Sequence, residues 1–443
     1  MSIQTEIDRI ITAVGAAYDA VEQKGGTVPQ SETVAGLAEA IGSIPEGGTT
    51  AAESNINFYD YDGMRLYAWT FEELTQKTEL PPLPVRDGLV CQGWNWTLSE
   101  IKAAGHEVDI GANYITDDGK TRIYIHLNEG RTSPMLGICP NGTITVDWGD
   151  GTTPDTLTGT STTTVKWTPT HAYTAPGDYV IKLTADGTFG FYGVATTNQQ
   201  SALLRHASGA DGRNQVYQNS VLRIEIGSGM ATFGDNGISS LRNLRSITIP
   251  TGVTAVTYRN FANCNSLLFI AVPRTVTKIG SFSFNDVSSA RTISFPHGIV
   301  GNNAAYAFFG ARTLDHIVLP DGISALPSAP FQNCFCLRRV VLPFMLTTIS
   351  AQMFASCYSL VTMSIPGGVT SIGDSAFQSC SGMKYYDFTQ HTSVPTLANA
   401  NAFTGIPDDC EIRVPSSLAD DWKAATNWAT YADHIVGIVG VKT

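Results

Sequence analysis

The sequence predicts a mainly β, multi-domain chain that ends in a stacked repeat solenoid. Three observations predict it. Pro250, Pro273, Pro296, Pro320, Pro343 and Pro366 recur at steps of 23, 23, 24, 23 and 23 residues. Apolar–polar–apolar triplets precede these prolines, the period of a half-buried strand, and repetition at such a spacing is the signature of a solenoid. Upstream, strand-like runs alternate with turns rich in Gly and Asp, as in TVDWGDGT at 145–152. At 443 residues the chain is also too long for one hydrophobic core.

Composition narrows the function. Hydrophobic residues make up 43% of the chain and charged residues only 15%, against a usual quarter. The formal net charge is −12 with no basic tract, which argues against nucleic acid as a partner. The opening MSIQTEIDRI carries early acids and no apolar core, so no secretory signal peptide is expected. No apolar run approaches the roughly 18 residues of a membrane span, so no membrane insertion is expected. The eight cysteines follow the repeat rather than a disulfide framework, which points to folding in a reducing cytoplasm.

Residues 1–50 read as a helical segment for oligomerisation and attachment. Ile3, Ile7, Ile10, Val14, Ala17 and Val21 step by 4, 3, 4, 3 and 4, a heptad. Isoleucine at both a and d favours three or four strands over two, so a homotrimer is expected. An amphipathic helix lying on a neighbouring domain gives the same spacing. A second helix follows Ser31, with Val34, Leu37, Ala38, Ile41 and Ile44 on one stripe. The wording AYDAVEQKGGTVPQSETVAGLAEAIGSI resembles the N-terminal segments of tail and baseplate proteins of phages and prophages. That resemblance implies other tail or baseplate proteins as partners.

Residues 56–115 open on NFYDYDGMRLYAWT, a hairpin signal around Asp62-Gly63. The proline-rich run LPPLPVRDGLVCQGWNW and a short helix from Thr97 to Ala104 follow. The pattern resembles the small β-grasp-like modules of Gram-positive surface and prophage proteins that end in a GWN-type turn. It implies that Trp94 and Trp96 are packed rather than ligand-stacking. In residues 119–186 the strings TVDWGDGT, HAY and PGDYVIKL come in order. They resemble a PKD domain, an immunoglobulin-like sandwich that acts as a spacer or weak binder. Asp147 and Asp150 are expected to bond turn amides, with Gly149 and Gly151 at positive φ.

Residues 221–443 form the array. Phe261, Phe284, Phe331, Phe354 and Phe377 stand eleven residues past their prolines, and Cys264, Cys334, Cys357 and Cys380 fourteen past. Both columns read as stacked core. The grammar LRSITIPTGVTAV, LRRVVLPFMLTTI and LVTMSIPGGVTSI resembles BspA-type leucine-rich repeats of bacterial surface proteins and phage tails. The ending VPSSLADDWKAATNWATYADHI resembles the closing unit of such arrays, with Trp422, Trp428 and Tyr431 over the open core.

Strand alternation then selects a candidate surface. Side chains one and three before each proline point inward, so those two and four before point outward. The outward columns carry Phe269, His316, Arg339 and Tyr385, beside Val318 and Val341, residue types common at binding hot spots. A plain solvated sheet face with incidental aromatics gives the same columns. No G-x-S-x-G, H-E-x-x-H, P-loop or dinucleotide fingerprint is present, and no column of the array is acidic. No enzyme activity, cofactor or metal is expected. The resemblances imply a phage or prophage tail fibre or receptor-binding protein, assembled in the bacterial cytoplasm and carried on the virion. Its array would hold a host cell-surface glycan or protein. The alternative is a bacterial cell-surface adhesin with the same repeats.

Overall fold

The computed structural model describes residues 55–193, 203–206, 211–299 and 305–439. The heptad at Ile3, Ile7, Ile10, Val14 and Val21, and the helix expected after Ser31, lie outside the described residues. The described chain falls into two compact units. Of the first, the structure shows Asn55 and residues 68–76. Its helix Phe71–Gln76 is capped reciprocally, the Glu73 amide donating to Thr70 Oγ1 at 3.1 Å and the Thr70 amide to Glu73 Oε2 at 2.7 Å. The second unit holds residues 56–67 and 77–443.

The strands β1 (Ile56–Tyr59) and β2 (Arg65–Trp69) flank a tight turn closed by Gly63, as Asp62-Gly63 predicts. β3 (Leu89–Trp94) leads into a helix over Leu98–Ala104. Thr97 caps that helix and Glu100 returns the bond, while Gly105 ends it at φ 67°. β4 (Val108–Thr116) then runs between β1, parallel to it, and β3, antiparallel. Trp94 and Trp96 are buried, as the resemblance implied, with Trp94 donating to the Pro81 carbonyl at 3.0 Å.

The next strands are β5 (Thr121–Leu127), β6 (Pro134–Asp147), β7 (Asp155–Thr160), β8 (Lys166–Trp167), β9 (Gly177–Phe191) and β10 (Leu204–His206). They form one sheet in the order β10-β6-β9-β5, with β7 and β8 also on β6. Trp148 is fully buried, stacked on His171 at 4.5 Å and donating to Asp155 Oδ2 at 2.9 Å. The Gly149 and Thr152 amides donate to Asp147 and Asp150. Gly149 sits at φ 79°, and a Cβ there would lie 2.4 Å from the Val180 carbonyl oxygen.

Residues 119–186 are joined to the array through their sheet. β5 pairs antiparallel with β11 (Val221–Glu225), the first strand of the array, and β11 pairs parallel with β13 (Ser246–Ile247); β12 (Met230–Phe233) pairs with the end of β9. One sheet therefore carries β5 into the first strands of the array, and one hydrophobic cluster runs from Ile123 through the array to Ile435. The physical reason is the open end of a solenoid. Its first repeat exposes apolar core and unpaired strand backbone, and β5 with β9 covers both.

Within the array the Pro250, Pro273, Pro320, Pro343 and Pro366 carbonyls each accept from the amide three residues on, closing the turn that each strand feeds. The phenylalanines stack as expected. Phe284, Phe308, Phe331, Phe354 and Phe377 have centroids 4.9–5.6 Å apart and planes within 10°. The cysteine column has a specific role. The Cys334, Cys357 and Cys380 thiols donate to the Phe308, Phe331 and Phe354 carbonyls at 3.1, 3.2 and 3.3 Å. A small apolar side chain with a weak donor fills the gap and satisfies the preceding repeat's backbone.

Burial pushes the Cys264 and Cys380 thiols up to about 12, so they stay protonated and unreactive at neutral pH. Cys336 is exposed. We expect an alkylating reagent to label Cys336 first in the native protein, and the four-cysteine column only after denaturation. Labelling of Cys357 in native protein at the Cys336 rate would overturn the packing described.

A cap closes the array. Residues Ser416–Leu418, Ala419–Ala424 and Trp428–His434 turn over the last repeat, burying Trp422, Trp428 and Tyr431. The strand Ile435–Ile438, which the sequence reading lacked, then adds to Glu411–Pro415 in parallel.

Candidate binding surface

Strand register places the predicted columns outward. His316–Val318 pairs with Arg339–Val341, and Thr362–Ser364 with Tyr385–Asp387, while Ile317, Val340, Met363 and Tyr386 between them are buried in the core. What lies on that outward face was not foreseen. Residues 56–67 and 77–115 cover it over the first strands of the array.

The cover is built by β4, whose side chains alternate. Val108, Ile110, Ala112 and Tyr114 fill the module's own core, and Asp109, Gly111 and Asn113 lie against the array. Gly111 lets the backbones approach: a Cβ there would stand 2.5 Å from Ala271 Cβ and 3.2 Å from Ser294 Cβ. A line of donors meets the carbonyls that precede each turn. The Thr116 amide donates to Ile226, Asn113 Nδ2 to Ile249, Asn95 Nδ2 to Val272 and Trp96 Nε1 to Phe295, at 3.1, 3.2, 2.9 and 2.6 Å. Four successive repeats are read in this way by one module.

At the centre is Asp109, 4% exposed. Its carboxylate accepts from Thr292 Oγ1 at 2.8 Å and Asn57 Nδ2 at 3.3 Å, and pairs with His316 Nε2 at 2.7 Å. Tyr59 also hydrogen-bonds to it. Burial opposes the charge on His316, but the hydrogen bond to Asp109 and the charges of Asp109 and Asp315 outweigh it, and the imidazole is held above its ordinary value. Glu107 pairs with Arg339, and His106 Nε2 with Asp321 Oδ2 at 3.0 Å.

The predicted surface residues therefore divide. Phe269 is 1% exposed beneath the Tyr59 ring, 5.2 Å between centroids, and is no free contact for a receptor. His316 and Arg339 are engaged by Asp109 and Glu107, and Val318 is buried. These assignments are corrected: the residues face outward as derived, but the chain supplies their partner. Val341 is half-buried. Tyr385 lies beyond the cover, with the Arg413 guanidinium 3.7 Å from its ring centroid and Arg413 Nε on Glu411 Oε2 at 2.7 Å. Thr362, Ser364, Asp387 and Val436 continue this open end of the face.

A cavity of about 440 Å³ lies where the strap Leu80–Leu83 and Trp94 meet Thr251 and Arg274 of the array. Among the described residues no group of three His, Cys, Asp or Glu could hold a metal ion, and no helix is long and apolar enough to cross a membrane.

Residues 212–334 and 301–419 match the family model of the BspA type leucine rich repeat region, in six copies. The C-terminal half is thus an array of BspA-type leucine-rich repeats. Among solved structures, the chain is similar to the T. pallidum leucine rich repeat protein at 21% identity and a TM-score of 0.33, covering 36% of this chain and 74% of that one. It is similar to a leucine-rich repeat protein from Bacteroides ovatus at 15% identity and a TM-score of 0.34, covering 58% and 81%. It is also similar to a leucine rich cell surface protein from Faecalibacterium prausnitzii at 24% identity and a TM-score of 0.28, covering 42% and 56%. No curated protein matches the chain.

Proposed function

We propose that this chain is a non-enzymatic recognition protein of a bacterial cell surface, an adhesin that binds a surface glycan or protein through the open end of its repeat sheet. The observation that carries the reading is the BspA-type array at 212–419, whose outward face from Thr362 to Val436 stays partly exposed among the described residues. Repeats of this type resemble those of surface proteins and phage tails alike. The tail-fibre reading rests on residues 3–44, which lie outside the described chain, and on the PKD-like strings at 145–183, so the surface reading stands first. Tail genes beside the coding gene would move it to a particle.

Tyr385 and Arg413 form the most specific feature of the open end, an aromatic ring carrying a guanidinium. Anchors of these types dominate binding energy where they do bind. Tyr385→Ala and Arg413→Ala are each expected to weaken adsorption of the purified protein to host cells by about 1–2 kcal/mol, with the melting temperature unchanged. Wild-type adsorption by both variants would remove this end of the sheet as the site.

A further inference from the structure

We propose that residues 56–67 and 77–115 are a lid on the array's sheet face and that deprotonation of His316 loosens it. The inference goes beyond the adhesive reading, and its test involves no external partner.

The contact between lid and array is polar where a permanent core would be apolar. Asp109, Asn95 and Asn113 of the lid meet Thr292, Ser294 and His316 and the strand-end carbonyls of the array. The apolar part is Tyr59 and Gly63 on Phe269, Gly111 on Ala271 and Trp96 beside His297. Charge therefore has leverage over this interface.

His316 is the cation that faces the buried Asp109 carboxylate. Every other charged group around it is already committed. Asp315, 3.7 Å from His316 Nδ1, also takes Arg338 at 3.1 Å and Arg291 at 3.9 Å. Arg339 is tied to Glu107. Tyr59 contributes a hydroxyl, not a charge. Arg65 also stands near Tyr59 and donates to Asn57 Oδ1 at 3.3 Å; losing the proton on His316 still removes the cation paired at 2.7 Å with a buried carboxylate, which is costly.

The sign follows from the direction of the shift. His316 is held above its ordinary value in the closed state, so closure is favoured while the imidazole is protonated and weakens as the pH rises through the closed-state value. A second pair, His106 with Asp321, lies further along the contact. Burial opposes the Asp321 charge, but the His106 bond outweighs it and holds the carboxyl below its usual range, so its carboxylate persists through the same window.

Hydrogen exchange on the full chain tests this, with rates corrected for intrinsic pH dependence. Between about pH 5.5 and about pH 8.5, residues 108–113 and 269–272 are expected to lose protection several-fold, while the ladder at 331–357 does not change. His316→Gln, which keeps a donor and cannot titrate, is expected to reduce the pH response at 108–113 and 269–272 several-fold. His316→Lys is expected to keep the lid protected across the window. Equal protection at both pH values in the wild type, or an unchanged response in His316→Gln, overturns the proposal.

Discussion

Trp428→Ala is expected to destabilise the C-terminal end of the array by about 3–5 kcal/mol, the cost of emptying a large aromatic site. Trp428 is fully buried. Its ring meets Phe403 at 5.5 Å, Phe388 at 5.8 Å and Trp422 at 5.5 Å, and its indole N–H donates to the Pro395 carbonyl at 2.8 Å. The residue closes the phenylalanine ladder, whose last step is Phe377 to Phe403 at 5.0 Å. In a solenoid each repeat is buried only by its neighbours, so the final one depends on its cap. Alanine would leave Phe403 and Phe388 facing a void and the Pro395 carbonyl without its donor. Trp428→Phe keeps most of the ring contact and loses the hydrogen bond, at about 1 kcal/mol. The measurement is urea denaturation, with hydrogen exchange to locate the loss. It should concentrate after residue 377 and leave the β5–β9 end as it was. A loss below about 1 kcal/mol for Trp428→Ala would mean that the cap is not what seals the array.

The legible part of this protein is the part that repeats. A single side chain carries little information about fold, but a phenylalanine or cysteine recurring every 23 residues is read several times over, and the stacked ladder followed from the spacing alone. The turn at Asp62-Gly63 and the capped helix after Thr97 were legible for a different reason, since a few local atoms specify them. The cover on the sheet face is not legible in the sequence, because it joins residues some 110 to 230 positions apart, from Thr116 with Ile226 to Glu107 with Arg339. A trace of it does stand in the sequence. In VDIGANYIT the apolar residues alternate with Asp109, Gly111 and Asn113, an outward face of small and acceptor-rich side chains of the kind that suits another protein surface rather than water. The same blind spot explains why Phe269 was taken as free. Its outward direction was derivable from register, but its exposure depended on a module elsewhere in the chain. The junction of β5 with β11 was missed for a related reason, since composition changes between 186 and 221 while the sheet does not break.

Asp109→Ala is expected to cost about 3 kcal/mol, near the lower end of what breaking a buried ion pair costs, because His316 is about one-quarter exposed and can recover water on losing its partner. The substitution removes no apolar packing of note. What it removes is the shared acceptor for Thr292, Asn57, Tyr59 and His316, drawn from both sides of the contact. Thr292 is buried and has no route to solvent while the lid is closed, so its hydroxyl would be left without an acceptor at about 1–3 kcal/mol. Asp109→Asn separates charge from hydrogen bonding. It keeps one acceptor oxygen but no charge opposite His316, and it is expected to fall between wild type and alanine. The two variants should also differ with pH. The wild-type stability advantage over Asp109→Asn is expected to be largest where His316 is protonated and to shrink as the pH rises through the closed-state value of that imidazole, since the charge on Asp109 matters most against a cation. Urea denaturation of the three proteins at several pH values gives the comparison, with hydrogen exchange at 269–272 reporting whether the loss falls at the lid. If Asp109→Ala is as stable as wild type and Phe269 remains protected, the Asp109 cluster does not hold the module on the array, and the closure comes from the other contacts, among them Gly111, Asn95, Asn113 and Trp96.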